Sequence, residues 1–218
     1  VKTVSVPPDL VSRARAIVPL LAARAEATET LRRIPDDTIR DLKVAGLHRI
    51  CQPARFGGYE APLDEACDIV AMLARGCAST GWVAGVYTDH QILVGMFDSR
   101  AADDVWADNP DALVSAGFTP SGSAEPVPGG WKLTGSWGWS SGCDHADWLV
   151  LVTLLPSGED GKPEPNFCLV SRDEVSIDDD WKVMGLAGTG SKTVSVVDAF
   201  VPTHRTLPGR LAAVSGAQ

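Results

Sequence analysis

Residues 137–145, WGWSSGCDH, concentrate side chains suited to catalysis, metal binding or ligand recognition. Ser140, Asp144 and His145 are the residue types of a hydrolytic triad. Such a triad needs its nucleophile on a strained turn, with the base and the orienting acid converging in space. The G-x-S-x-G pattern is absent, and residues so close in sequence rarely converge in this way. The segment therefore disfavours a triad.

Metal binding is also weakly supported by this segment. Cys143 and His145 are two ligand types without a second pair, whereas zinc sites use three or four protein ligands. The five cysteines are widely spaced and form no C-x-x-C pair, so neither a zinc site nor a disulfide framework is indicated. We expect no metal, reduced thiols and a cytoplasmic location.

Tryptophans are the more informative feature of this region. Four of the seven lie in one stretch of the chain, at Trp131, Trp137, Trp139 and Trp148. Indoles form flat, rigid walls suited to flanking a planar ligand. Alternation along a strand would put the first three on one face, which fits a core stripe as well as a ligand wall. Ser140 and Ser141 would then supply hydroxyl and N–H groups beside them.

The rest of the chain contains two further candidate motifs. His90 lies in an apolar helical segment eight residues after Trp82, within about 80° of the same helix face. A lone helical histidine is usually structural, although one beside an aromatic wall also suits proton transfer. The segment GLAGTGSK does not match the Walker pattern, because Ser191 separates its last glycine from Lys192.

The elements that position these residues change type midway along the chain. Apolar spacing predicts helices after Asp9 (kinked or interrupted at Pro19), from Pro35 to Gly46, and over Leu63 to Arg75, Ser79 to Phe97 and Arg100 to Ala107. Strands are expected at Ala112 to Ala116, Val127 to Trp139 with a turn at Gly129-Gly130, Trp148 to Leu155, Asn166 to Ser171, Val175 to Ile177 and Thr193 to Val201. Helices followed by strands indicate an α+β protein with segregated elements.

The composition and charge of the chain indicate which classes of partner it does not favour. The formal net charge of −9 disfavours non-specific binding to nucleic acid or to anionic membranes. No apolar run approaches the ~20 residues of a membrane span, and the N-terminal segment lacks the order of a signal peptide. We expect neither a nucleic acid nor a membrane as partner.

Four segments together resemble one protein family. They are ARFGGYEA, ARGCASTGWVAG, GGWKLTGSWGWSSGCDHADWLVLV and WKVMGLAGTGSKTVSVVDAFVP. They are similar to the acyl-CoA dehydrogenase superfamily, and most similar to the flavin-dependent monooxygenases of two-component systems. The resemblance extends from about Leu10 to Leu207. The combination of W-x-W-S-S-G-C-D-H-A with G-L-x-G-T-G-S is specific to it.

The resemblance implies a fold and a reaction. The fold is an N-terminal helical domain (1–110), a central antiparallel β-barrel (111–207) and a C-terminal four-helix bundle, of which 208–218 is a tail or the beginning. The bundle is thus expected to be absent from this chain. Reduced FMN or FAD from a separate flavin reductase would hydroxylate an aromatic or polyketide-like small molecule. Relatives of this kind form homo-oligomers, tetramers where the bundle is present.

Site residues are also implied by the resemblance. Ser141 would hydrogen-bond the reactive edge of the isoalloxazine, and His90 would contact a phenolic oxygen, so both are candidate catalytic residues. The expected flavin-binding residues are Trp82, Phe118, Thr119, Pro120, Gly122, Trp137, Trp139, Ser140, Ser141, Thr189 and Ser191. Ser115 or Ala116 would face the substrate together with His90.

Two alternatives to a monooxygenase remain open. One is an acyl-CoA dehydrogenase or oxidase. In dehydrogenases the loop after the first strand has the pattern T-E-P-x-x-G-S-D, whereas here it is T-P-S-G-S-A and lacks both acids, which lowers this alternative. The other is a truncated, non-catalytic relative that serves as a binding or assembly module.

Overall fold

The computed structural model of the chain describes residues 8–156 and 162–214 and divides into two compact units. Within the described residues, the first unit contains 8–92 and Trp181–Ser191. The second unit contains 93–156, 162–180 and 192–214. Residues 215–218 of the expected tail lie outside the described part.

The predicted helices are confirmed with small shifts at their ends. They are α1 (Pro8–Leu31), α2 (Asp36–Val44), α3 (Leu63–Ala74), α4 (Ala78–Gly95) and α5 (Ser99–Trp106). In the described part of the chain, no helix combines the length and the apolar character that a membrane crossing requires.

Of the kink or interruption expected at Pro19, the interruption is wrong, because α1 continues through this residue and is 24 residues long. Pro19 is exposed, whereas Ala14, Ile17 and Leu21 are buried along one face of the helix. A proline inside a helix costs about 3 kcal/mol. Burial of one large aliphatic side chain contributes about 1.5–3 kcal/mol, so the buried face offsets this cost.

The six predicted strand segments are confirmed with shifts at their ends, and the eight observed strands form two sheets of four. The strands are β1 (Val114–Gly117), β2 (Ser123–Val127), β3 (Gly130–Ser140), β4 (Trp148–Leu155), β5 (Glu164–Ser171), β6 (Ser176–Asp178), β7 (Lys192–Pro202) and β8 (Thr206–Pro208). Most of β2 and all of β8 were not predicted. One sheet has the order β1-β4-β5-β8 and the other β2-β3-β7-β6. A short helix, α6 (Gly209–Val214), follows β8.

The expectation of an antiparallel barrel is corrected in two respects. The sheets do not close into one barrel, and β1 pairs with β4 in parallel. After β1 the chain enters the other sheet, forms the hairpin of β2 and β3, and returns so that β4 runs in the direction of β1. Parallel neighbours need such a crossover connection.

The Trp137 side chain lies at the centre of the core between the two sheets, and its exposed fraction is 1%. Its Nε1–H donates a hydrogen bond to the carbonyl oxygen of Val152 at 2.7 Å, which links β3 of one sheet to β4 of the other. A Cβ at Gly117 would lie 2.5 Å from the Cβ of Trp137, and one at Gly135 would lie 2.7 Å from the ring atom Cη2. The indole thus fills space that larger residues at these positions would need.

We expect Trp137→Ala to lower the free energy of unfolding by about 3–5 kcal/mol, because it removes a large buried side chain and leaves a cavity. Urea denaturation followed by circular dichroism measures this change. The control is Phe200→Ala on β7, whose side chain is about half exposed, with an expected loss below about 1 kcal/mol. Equal losses for the two variants would contradict the central role of Trp137.

Candidate functional site

A β-bulge near the end of β3 sets the orientation of its tryptophans. Gly138 and Trp139 together oppose the single residue Thr193 of β7. The extra residue breaks the alternation of the strand. The prediction that Trp131, Trp137 and Trp139 share a face is therefore wrong, since Trp137 is buried and Trp139 is 78% exposed. The structure gives Trp137 a place in the core instead of the predicted place beside a ligand.

Trp139 has strained backbone geometry as well as an exposed side chain. Its φ angle is +67°, a region that L residues with bulky side chains rarely adopt. Such a conformation costs about 1–3 kcal/mol and is found mainly at functional sites. The bulge thus presents a large, flat aromatic surface to the outside of the β unit.

Three serines beside the bulge form a buried hydrogen-bond network. The Oγ of Ser115 lies 2.8 Å from the Oγ of Ser140 and donates to the carbonyl oxygen of Ser141, also at 2.8 Å. Since a hydroxyl has one proton, Ser140 must be the donor to Ser115. Ser115 therefore links β1 to the end of β3, in place of the predicted contact with substrate. The neighbouring Ala116 is buried as well.

Ser141 lies between the strained Trp139 and a second left-handed residue, Gly142, whose φ angle is +73°. Its N–H donates to the carbonyl oxygen of Trp139 at 3.0 Å. The 3₁₀ turn Cys143–His145 follows directly. The structure therefore holds the backbone of Ser141 in a compact reversal at the end of β3.

The geometry of this turn does not assemble a nucleophile. Burial, followed by the charge of Asp144, raises the pKa of the Cys143 thiol to about 12, so it is protonated at neutral pH. The hydroxyl of Ser140 bonds to Ser115, and the carboxylate of Asp144 bonds to Lys192. The described residues contain no group of three or more His, Cys, Asp or Glu side chains arranged to hold a metal ion.

Lys192 is a residue of this region that motif analysis missed. Its Nζ lies 2.8 Å from Asp144 Oδ1 and 3.5 Å from Asp179 Oδ1. The sequence does carry a signal for it: alternation along β7 puts Lys192 on the inward face with Val194 and Val196. A charged residue on the buried face of a strand requires a partner.

The loop after β1 lines a cleft in the second unit. Phe118 and Pro120, two of the expected flavin-binding residues, border this cleft of about 460 Å³. Phe167 on β5 packs edge-on against Phe118, with ring centroids 6.0 Å apart. The size and apolar walls suit a small-molecule site. Thr119 is exposed in the same loop.

Close packing and a positive φ angle favour glycine at position 122, another residue expected to contact the flavin. Its φ angle is +70°, and a Cβ there would lie 2.7 Å from the carbonyl oxygen of Thr134 and 2.9 Å from the Trp137 ring. The loop after β1 is therefore fitted closely over the core of the β unit.

In the first unit, α4 carries two of the predicted site residues. Trp82 is exposed, whereas His90 is buried. The eight-residue spacing predicts that Trp82 and His90 lie on roughly the same helix face, but their side chains differ in exposure. The predicted contact of His90 with a phenolic oxygen stays a prediction.

Thr189 and Ser191 lie close together in the first unit. The Oγ1 of Thr189 donates to the carbonyl oxygen of Leu186 at 2.8 Å. The Oγ of Ser191 lies 2.7 Å from Thr189 Oγ1. Glu29 on α1 anchors this segment by accepting hydrogen bonds from the N–H groups of Ala187 and Gly188 at 2.8 and 3.3 Å. Glu29 was missed by motif analysis, because nothing in its local sequence indicates a partner 158 residues away.

Comparison with known proteins connects these features to a family. Residues 12–97 match the model of the acyl-CoA dehydrogenase N-terminal domain. The chain is 44% identical over 196 residues to the oxygenase subunit HsaA of a flavin-dependent monooxygenase from Rhodococcus jostii (strain RHA1), covering 89% of this chain and 51% of the relative. It is 42% identical over 198 residues to the oxygenase component of an FADH2-dependent resorcinol hydroxylase from Rhizobium sp. (strain MTP-10005), covering 91% and 48%.

Solved structures agree with this relationship. The crystal structure of 3-HSA hydroxylase from Rhodococcus sp. RHA1 superimposes with a TM-score of 0.90 at 41% identity, covering 96% of this chain and 54% of that one. The chain thus spans about half the length of the curated relatives it matches.

We expect Trp139→Gly to raise the free energy of unfolding by about 1 kcal/mol, because glycine adopts a positive φ without strain. The matched control is Trp139→Ala, which also removes the indole but keeps a Cβ and hence the strain. Urea denaturation compares the two variants with the wild type. If both variants have the same stability, the backbone at residue 139 is not strained.

Proposed function

Since the chain belongs to the acyl-CoA dehydrogenase superfamily, we propose that it is part of the oxygenase component of a two-component flavin-dependent monooxygenase. Such an enzyme hydroxylates an aromatic or polyketide-like substrate with reduced flavin and O2. The proposal is supported by relatives that are named as oxygenase subunits or components of flavin-dependent hydroxylases.

The observation that carries the proposal is the geometry at the end of β3. An exposed indole at Trp139, held outward by a strained bulge, stands next to Ser141 in a tightly hydrogen-bonded turn. A planar cofactor needs an apolar surface against its ring and fixed polar groups at its edge. The residues of the turn fit that requirement without a metal or a nucleophile.

Several side chains of this chain would hold the flavin. Trp139 provides an aromatic surface, Ser141 a hydroxyl for the reactive edge, and Phe118 and Pro120 the apolar wall of a cleft. When bound, reduced flavin supplies the reaction with O2, and the protein excludes water and orients the substrate. Thr119, Gly122 and Ser140 of the same unit are proposed as further contacts, whereas the flavin contacts of Trp82, Thr189 and Ser191 in the first unit stay predictions.

His90 is proposed to act on the substrate. An imidazole accepts a proton near neutral pH, and loss of the phenolic proton makes the aromatic ring carbons more nucleophilic. Aromatic substrates are supported by the resorcinol hydroxylase relative. The FADH2 in the name of that relative favours reduced FAD over reduced FMN as the cofactor.

The partners and location follow from the same scheme. A separate flavin reductase would supply the reduced cofactor, as the names "oxygenase subunit" and "oxygenase component" of the relatives suggest. We also propose a homotetramer in the cytoplasm, where reductase and reduced nicotinamide are available. Mass photometry of the full-length protein measures the number of subunits.

The proposed activity is tested with the full-length protein, chemically reduced FAD or FMN, ¹⁸O2 and a panel of phenols. We expect one ¹⁸O atom in the product, detected by mass spectrometry. Ser141→Ala should weaken binding of reduced flavin about tenfold, since a hydrogen bond contributes about 1 kcal/mol or somewhat more. Ser176→Ala, an exposed serine on β6, should bind as the wild type does.

Two outcomes would favour the alternatives. Reduction of bound oxidised FAD by an acyl-CoA, without hydroxylation of any phenol, would indicate a dehydrogenase. Absence of flavin binding at millimolar concentrations would indicate a binding or assembly module.

The role of His90 is tested by His90→Ala with phenols of different acidity. Hydroxylation of weakly acidic phenols should slow about 100-fold, the usual contribution of a general base. Fluorinated phenols that are already ionised in the buffer should be hydroxylated at nearly the wild-type rate, because they need no proton acceptor. Equal slowing for both classes of phenol would contradict proton transfer by His90.

A further inference from the structure

We propose that Lys192 is a positioning residue that holds the turn carrying Ser141 in the conformation needed to meet the flavin. The inference rests on the proposed function for the identity of the ligand. Lys192 acts through the turn and not by contact with that ligand, and the contacts that support the inference lie within the β unit.

Lys192 restrains both ends of residues 140–144. Its backbone is paired with Ser140, the last residue of β3, in the register of β3 and β7. Its side chain reaches the other end of the turn, where Nζ lies 2.8 Å from Asp144 Oδ1. Ser141 therefore lies between two points that are fixed by the same residue.

The ion pair of Lys192 and Asp144 is shielded from water. The exposed fractions of the two side chains are 9% and 12%. Among the described residues, Asp144 Oδ2 is buried without a hydrogen-bond partner. Asp179 also approaches Lys192, at 3.5 Å, but its side chain is mostly exposed. The charge of Asp144 is therefore balanced mainly by Lys192, and loss of the ammonium would leave a buried carboxylate uncompensated.

An uncompensated carboxylate would move toward water and draw the turn with it. Within the 3₁₀ turn, the N–H of Ala146 donates to the carbonyl oxygen of Cys143, and the N–H of His145 donates to that of Gly142. Such a short turn has little cooperativity of its own. The long-range contacts of Asp144 and Ser115 therefore add restraints on its conformation, and hence on the position of Ser141.

The test compares Lys192→Met, Lys192→Arg and Asp144→Asn with the wild type, all in the full-length protein. The matched control is Lys132→Met. Lys132 is a lysine of the same sheet, on β3, whose contact with Asp198 is longer, at 3.7 Å, and largely exposed. Two quantities are measured: amide hydrogen exchange without flavin, and anaerobic binding of reduced FAD and reduced FMN.

Without flavin, Lys192→Met should accelerate exchange of the amides of residues 141–146 at least tenfold, while exchange in β4 stays unchanged. The same variant should bind reduced flavin at least tenfold more weakly. Lys192→Arg, which keeps the charge, should recover part of both properties, and Lys132→Met should resemble the wild type. If Lys192→Met does not fold, Asp144→Asn is expected to show the same two changes.

Unchanged exchange in residues 141–146 in both Lys192→Met and Asp144→Asn would overturn the inference. So would faster exchange with wild-type flavin binding, because Lys192 would then stabilise the turn without positioning Ser141. If the wild-type protein binds no reduced flavin, the proposed function fails, and with it the flavin part of the inference; the exchange measurement then still decides whether Lys192 holds the turn.

Discussion

The burial of the Trp137 indole between the two sheets constrains the rest of the β unit. Its ring fills the core, and its N–H, which needs an acceptor once it is out of water, bonds to Val152 on the opposite sheet. That bond fixes the position of β3 against β4. A Cβ at Gly117 would meet the Cβ of Trp137, and a Cβ at Gly135 would meet both the Cα of Gly122 and the indole ring, so neither position has room for a larger residue.

The bulge near the end of β3 changes the directions of the side chains that follow Trp137. With Trp137 directed inward, regular alternation would direct the next odd-numbered residue inward as well. The extra residue at the bulge instead turns Trp139 outward and returns Ser140 to the buried face, where it meets Ser115. Because of one inserted residue, Trp137 is buried in the core while Trp139, two positions later, is exposed. The strained positive φ angle is at Trp139, the residue that faces outward.

Local features of the sequence predicted most of the elements. The apolar run of β4 was predicted with its observed limits, and Gly129, with φ of +84°, forms the expected hairpin turn. The pairing of β1 with β4, however, joins segments that are far apart in the chain, so periodicity carries no information about it. The bulge at Trp139 was missed for a related reason: its sequence alternates regularly, and the irregularity arises from pairing with β7. The strand that contains the motif was therefore predicted correctly, whereas the opposite directions of Trp137 and Trp139 were not predicted.

The interactions around Ser141 differ in kind from those around Trp137. Apolar burial is strong but non-directional, so it fixes a sheet to within the tolerance of its packing and does not orient a hydroxyl. The turn at residues 140–144 is fixed by directional contacts instead, from the hydroxyl of Ser115 and the ammonium of Lys192. A buried ion pair contributes little net stability over an apolar pair of similar volume. The advantage of the Lys192–Asp144 pair is geometric, because the shielded ammonium defines one favourable position for the Asp144 carboxylate. The backbone beside Asp144 is restrained to one position as a result.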